Sequence, residues 1–328
     1  MNKRECQLTP SFPRKRESSV SGTTSLIAAW SLLICLVSLT LAPSAQAQSS
    51  GILRSATLAK DLDFPTEPSR LTAFTNPSLA LFKPDGPGPF PALVLMHQCG
   101  GLGNPNGRWQ NKSMLDWARE AVSRGYVALL VDSLGPRNTD TVCMGAKNGV
   151  TFTRGVRDAL QAAEHLRKQP YVDAKRVAMA GYSWGAMVGV LASSKLWGEA
   201  LNGGQRFDAV VSMYPGCFRT QPPGGTPYEI MNNDIDRPLL VLMGGQDNET
   251  PASDCIPKLE QLKAAGAPVE WNLYPDATHC WDCKNLNGNR KVDVRGNSVL
   301  YTYDEKITAD SGKRLFEFVE RALGVKGK

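Results

Sequence analysis

The chain has 328 residues and a formal net charge of +6. Residues 1–47 supply five basic and two acidic side chains of that total, so the remaining 281 residues carry only +3. That is too little to argue for a nucleic-acid partner, and no lysine or arginine cluster interleaved with aromatics appears there.

In chain order the first feature is an apolar run, LIAAWSLLICLVSLTLA at 26–42, behind Lys3, Arg4, Arg14, Lys15 and Arg16. Ala45-Gln46-Ala47 follows with the small-x-small pattern that a signal peptidase reads. The pattern predicts a signal peptide cleaved after Ala47 and a periplasmic or secreted protein with no stable membrane insertion. The run of 17 residues is short for a bilayer span, which argues against an uncleaved anchor. Bulky Ile34 before Cys35 argues against a lipoprotein, and a twin-arginine signal lacks its consecutive pair.

After residue 47 the length suits one α/β domain or two small ones, with no repeat or low-complexity tract. Residues 48–89 hold weak, proline-rich strand signals and are expected to form an antiparallel edge. Short Val- and Leu-rich runs at 90–97, 126–132, 176–183, 208–215 and 238–245 read as strands covered on both faces. Helical patterns lie between and after them, at 113–124, 153–169, 185–197, 254–266 and 311–323. This alternation predicts an α/β, mostly parallel, doubly wound sheet flanked by helices. No stretch is long enough for a separate lid domain, so residues 48–328 read as one domain. The longest irregular segments are 216–237 and 281–308.

The stretch RVAMAGYSWGAMVG, Arg176 to Gly189, reads as a strand turning sharply into a helix, with Ser183 bracketed by Gly181 and Gly185. Such an elbow mounts the nucleophile of an α/β-hydrolase. Ser183 then needs a base and an orienting carboxylate. Of the three histidines, His165 is mid-helix and His97 precedes the serine; only His279 follows another strand late in the chain. The order serine, acid, histidine selects His279 as base and Asp247, leaving the strand in LLVLMGGQDNETP, as acid. Asp254, a helix N-cap candidate, and Asp276, three residues before His279, are the rivals. The oxyanion needs backbone donors: Trp184 supplies one at a helix N-terminus, and Cys99 in HQCGGLG the other, with Gln98 as the alternative. Trp184, Trp281, Tyr182 and Tyr214 are expected to line an aromatic substrate pocket.

HQCGGLG, VDSLGPR, GYSWGA, YPGC, GGQDNETP and ATHCWD resemble, in order, the landmarks of the dienelactone hydrolase family. The resemblance covers roughly residues 70–325. It implies an α/β-hydrolase without a lid, a triad, and small ester or lactone substrates. It also sets Arg137 where the family binds a substrate carboxylate. Two departures stand out: Ser183 replaces the cysteine nucleophile of the best-known members, and Gln98 stands where they carry an activating glutamate. Both favour ordinary serine-esterase chemistry over dienelactone turnover.

Six cysteines remain beyond the apolar run: Cys99, Cys143, Cys217, Cys255, Cys280 and Cys283. An even number in an oxidising compartment suggests up to three disulfides with 15 connectivities. Cys99–Cys143 and Cys217–Cys255, each joining loops at one end of the sheet, together with Cys280–Cys283 are the favoured set. HCWDC at 279–283 has the wrong order for haem attachment and lacks the second pair of a zinc site. NLNGNRKVD at 285–293 fails as a calcium loop, because Cys283 and Val294 fall at acidic positions. No cofactor or metal is implied. The function that emerges is an exported carboxylesterase or lactonase working through an acyl-enzyme. A peptidase or acyltransferase, and a secreted binding or scaffold protein with a vestigial site, are the alternatives.

Overall fold

A computed structural model of the chain describes residues 45–69, 80–103, 110–222 and 225–325. Its centre is a seven-stranded sheet. The strands, in chain order, are β1 (Leu81–Phe82), β2 (Phe90–Met96), β3 (Val127–Val131), β4 (Val172–Tyr182), β5 (Ala209–Met213), β8 (Leu239–Gly244) and β9 (Val269–Tyr274). Two short hairpins, β6 (Arg219–Thr220) with β7 (Tyr228–Glu229) and β10 (Arg290–Val292) with β11 (Ser298–Leu300), stand apart from it. The spatial order is β1-β3-β2-β4-β5-β8-β9. Every pairing in it is parallel except β1 with β3. This is the α/β-hydrolase fold that the alternation of apolar runs predicts.

Alternate residues of a strand face opposite sides, and both sides here are covered. In β2, Leu93 and Leu95 enter a core shared with α2 (Lys112–Ser123) and α7 (Glu305–Leu323). Ala92, Val94 and Met96 enter the other core. That layer is formed by α1 (Ala45–Ala56), α3 (Phe152–Arg167), α4 (Trp184–Ala192), α5 (Lys195–Asn202) and α6 (Ile256–Ala264). All five of these β2 side chains are fully buried; each large one contributes about 1.5–3 kcal/mol. Side-chain caps fix where the helices begin: Asn111 accepts from the Met114 N–H, Thr151 from Arg154 and Asp304 from Ile307.

Several boundaries differ from expectation. Of residues 48–89, only Leu81–Phe82 forms the antiparallel edge, while α1 occupies Ala45–Ala56; residues 70–79 lie outside the described residues. The helix expected at 185–197 is two helices. Ser193 ends α4, and Ser194 caps α5 by accepting from the Trp197 N–H. The final helix starts at Glu305, and segments 216–237 and 281–308 each contain a hairpin. Of the expected export segment, Ala45–Ala47 form the start of α1, and residues 1–44 lie outside the described residues. No described helix is long and apolar enough to cross a membrane.

Candidate active site

The carboxyl ends of the parallel strands converge on Ser183, which leaves β4 and caps α4. Its φ is +51° with ψ −111°. A non-glycine residue held in this sparsely populated region stores strain that the surroundings must enforce. Here they do. The Ser183 N–H donates to Met213 O of β5, and the Gly185 N–H donates to His97 O beyond β2. The flanking glycines are sterically required: a Cβ at Gly181 would lie 2.1 Å from Gly185 O, and one at Gly185 2.3 Å from Met96 O.

Asp247 follows β8 and His279 follows β9. His279 Nδ1 is 2.7 Å from Asp247 Oδ2, and Nε2 is 2.8 Å from Ser183 Oγ. With its proton on Nδ1 donated to Asp247, the imidazole accepts the serine hydroxyl on Nε2. All three are buried, Ser183 and Asp247 at 4% exposure and His279 at 2%. Burial works against the imidazolium, but the Asp247 charge, the nearby Glu249 charge and the Asp247 hydrogen bond prevail and hold His279 above the ordinary histidine value. The structure therefore brings the three expected residues into one hydrogen-bonded line.

Asp247 is itself fixed. Its Oδ1 accepts the Glu249 and Thr250 N–H groups, both at 2.9 Å, and its Oδ2 accepts the Thr250 hydroxyl at 2.8 Å. A second carboxylate, Glu249, stands 3.8 Å from His279 Nε2. Glu249 accepts from Lys291 of β10 at 2.6 Å and from the Tyr301 hydroxyl at 2.9 Å. None of Glu249, Thr250, Lys291 or Tyr301 is marked by the catalytic pattern. The spacing of Glu249 and Thr250 behind Asp247 is that of a side chain bonding its own backbone, a usable signal. Lys291 and Tyr301 arrive on a hairpin that carries none.

The Trp184 N–H opens α4, and neither it nor the Cys99 N–H has an acceptor among the described residues. Cys99 and Ser183 share the walls of two cavities. The N–H of the alternative, Gln98, likewise has no acceptor among the described residues, and its side chain is held in a network. Asn111 Nδ2 donates to its Oε1 at 2.6 Å, and its Nε2 donates to the Tyr214 hydroxyl at 3.3 Å. Tyr214 in turn donates to buried Asp282, which also accepts from Trp117. Burial pushes the Asp282 carboxyl up, opposed by these two donors.

The substrate contacts expected of several aromatic residues need correction. Trp184 does line the larger cavity. Tyr214 and Trp281 pack edge to face beneath the site, 4.8 Å between centroids, and are almost fully buried. Tyr182 is buried against Trp117 and Tyr214. None of these three lines the cavities beside Ser183. Arg137 is also placed away from them. Its guanidinium forks onto Asp158 at 2.7 and 2.8 Å and donates to Ser133 O and Lys60 O. It holds the framework, because no donor pair is left to face the cleft. His97 accepts the Ser133 N–H on Nε2 and donates from Nδ1 to Gln98 O, and burial holds it below the ordinary value. His165 sits against Pro65 O, on the far side of α3 from the chemistry.

All three favoured disulfides are formed: Cys99–Cys143, Cys217–Cys255 and Cys280–Cys283.

Residues 79–323 match the sequence profile of the dienelactone hydrolase family. The chain belongs to that family. A protein carrying the name carboxymethylenebutenolidase from Salmonella typhimurium is 26% identical over 156 residues, 47% of this chain and 50% of its own length. Dipeptidyl-peptidase 5 of Porphyromonas endodontalis is 23% identical over 201 residues, 52% of this chain and 27% of its own. The chain thus spans half or less of these relatives. Among solved structures, an esterase of Thermogutta terrifontis with propionate bound superposes with a TM-score of 0.54 at 16% identity, covering 74% of this chain and 88% of its own. MGS-M1, an α/β-hydrolase from a deep-sea metagenome, gives 0.52 at 19% identity, covering 72% and 86%. At these identities the structural likeness speaks for the fold.

Proposed function

We propose that this member of the dienelactone hydrolase family is an exported serine hydrolase that cleaves small carboxylic esters or lactones. The observation that carries the reading is the unbroken line Ser183–His279–Asp247 at 2.8 and 2.7 Å. In the proposed cycle Ser183 Oγ attacks the carbonyl carbon while His279 Nε2 takes its proton. Asp247 holds the imidazole in orientation and stabilises its positive charge. The N–H groups of Trp184 and Cys99 receive the oxyanion, a contribution of about 10²–10³ in kcat per donor in enzymes of this kind. The tetrahedral intermediate collapses as His279 returns the proton to the leaving oxygen. Water then attacks the acyl-serine, again with His279 as base.

One likeness supports ester substrates: the Thermogutta esterase is described with propionate and, in another structure, phosphonylated by sarin. The dipeptidyl-peptidase relative supports a second reading, amide cleavage by the same triad. Export rests on the apolar run and Ala45-Gln46-Ala47; N-terminal sequencing of protein from the periplasmic or culture fraction should begin at Gln48.

The deciding experiment is labelling with a fluorophosphonate, mapped by mass spectrometry. One stoichiometric adduct on the Ser183 peptide, lost in Ser183→Ala and in His279→Ala, is expected. A folded protein that takes no label at neutral and mildly alkaline pH overturns the reading and leaves a binding role. Comparing nitrophenyl esters with dipeptidyl nitroanilides on unlabelled enzyme separates esterase from peptidase.

A further inference from the structure

We infer that the enzyme is selective for esters of a bulky, apolar acid with a small alcohol; the inference rests on the proposed role of Ser183. Ser183 and the Cys99–Cys143 disulfide form a shared wall between two cavities. The larger, about 590 Å³, is walled by Val142, Val150, Phe152, Trp184, Met187 and Phe218, with a polar rim that includes Glu249 and Arg295. Arg219, Pro222 and Tyr228 also line a further cavity of about 390 Å³. The smaller cavity, about 220 Å³, carries Gln98, Asn111, Ser113, Asn285 and Lys291.

Reaction chemistry assigns the two sides. In the tetrahedral intermediate the carbonyl carbon holds the serine oxygen, the oxyanion, the acyl carbon and the leaving oxygen. Collapse breaks the bond to the leaving oxygen, and the proton that His279 Nε2 took from Ser183 goes to that oxygen, releasing the alcohol. Transfer requires the leaving oxygen within hydrogen-bond reach of Nε2. His279 lines the smaller cavity and not the larger. The alcohol therefore leaves through the smaller side, and the acyl chain lies along Trp184, Phe152 and Phe218. A cavity of several hundred Å³ with mainly apolar and aromatic walls is of the size and character that takes a small organic group.

The test uses two constitutional isomers, methyl naphthylpropanoate and naphthylethyl acetate, which place the same bulky group on opposite sides of the same ester. Each kcat/KM is divided by the hydroxide-catalysed rate of that ester. The methyl naphthylpropanoate is expected to be favoured at least about 10-fold, the discrimination a hydrophobic pocket supplies. Ala146 is an exposed residue on the wall of the larger cavity and Asn285 an exposed one on the smaller. Ala146→Trp should lower the ratio at least about 5-fold and Asn285→Trp should raise it. A ratio at or below one, or an Ala146→Trp enzyme with the ratio unchanged, overturns the assignment. Turnover of neither ester by enzyme whose Ser183 takes fluorophosphonate overturns it as well. Failure of Ser183 to label is the separate result that removes the hydrolase reading itself.

Discussion

Glu249 gives the chemistry its most direct electrostatic test. Its carboxylate is 3.8 Å from His279 Nε2, and Lys291 sits 2.6 Å from the same carboxylate on its other side. His279 must be neutral to act as base, so kcat/KM rises with pH through the His279 pKa, which lies above the ordinary value. Replacing Glu249 by Gln removes a negative neighbour, which lowers that pKa and moves the acidic limb of the profile to lower pH. At 3.8 Å a unit charge contributes about 4 kcal/mol at an effective dielectric of about 20 and about 1 kcal/mol in bulk water. The Glu249 side chain is 14% exposed and Lys291 26%, so screening is partial and the lysine cancels part of the field. A net of about 1–1.5 kcal/mol corresponds to a downward shift of about 1 pH unit.

Lys291→Gln supplies the control of opposite sign. It removes the counter-charge and should shift the limb upward, by about half a unit, because the lysine is farther from the imidazole than the carboxylate it bonds. The assay is kcat/KM for a nitrophenyl ester across pH 5–9 at two ionic strengths, with circular dichroism to confirm folding. A merely structural pair would lower activity at all pH values without moving the limb. Shifts of the same sign in both variants, or an upward shift in Glu249→Gln, would refute the reasoning.

Three further outcomes follow from the geometry. Gly185→Ala places a Cβ 2.3 Å from Met96 O, a backbone atom that cannot step aside. It should cost at least about 3 kcal/mol in urea denaturation; a loss below about 1 would contradict the packing described. Arg137→Met leaves buried Asp158 with the Arg154 guanidinium and the Ser133 hydroxyl and should destabilise by about 3 kcal/mol. Its kcat/KM should change by the same factor for substrates with and without a carboxylate, and a selective loss on the carboxylate-bearing one would restore Arg137 to substrate binding. Replacing Cys99 and Cys143 by Ala opens a loop of 44 residues and should lower stability by about 4 kcal/mol, seen as a fall in the urea midpoint; an unchanged midpoint would mean that the pair does not form in the folded protein.

The fold and the triad were legible because each rests on a local signal. Strands buried on both faces leave unbroken apolar runs such as ALVLM at 92–96, and the elbow leaves glycines wherever a Cβ would strike backbone. What was illegible depends on partners distant in sequence. Arg137 lies where a substrate arginine would stand, yet its direction is decided by Asp158, 21 residues away on α3. Tyr214 and Trp281 have the composition of a pocket wall, but burial beneath His279 is set by how β5, β9 and α7 pack. Lys291 and Tyr301 reach Glu249 only because the β10–β11 hairpin folds back over the cleft. The first helix was missed for a related reason: the contacts of Ile52 and Ala56 with the core, rather than any strong internal pattern, hold it.

The position of the site follows from the sheet order. From β2 the strands run outward in opposite directions, to β3 on one side and to β4 on the other. In an open α/β sheet this divergence leaves a crevice beyond the carboxyl ends. The loop after β2 brings Cys99, and the turn after β4 brings Ser183, one to each lip. The proposed oxyanion donor and nucleophile thus stand on facing lips without any insertion having to carry them. Asp247 and His279 follow β8 and β9, farther along the same edge. The covalent ties lie at this same end of the sheet. Cys99–Cys143 joins the loops after β2 and β3, Cys217–Cys255 joins the segment after β5 to the start of α6, and Cys280–Cys283 closes the turn beside His279. All three cross-link loops at the end of the sheet that holds Ser183. Strands and helices there are already fixed by their cores, so the disulfides restrain the loops that the proposed reaction needs in place.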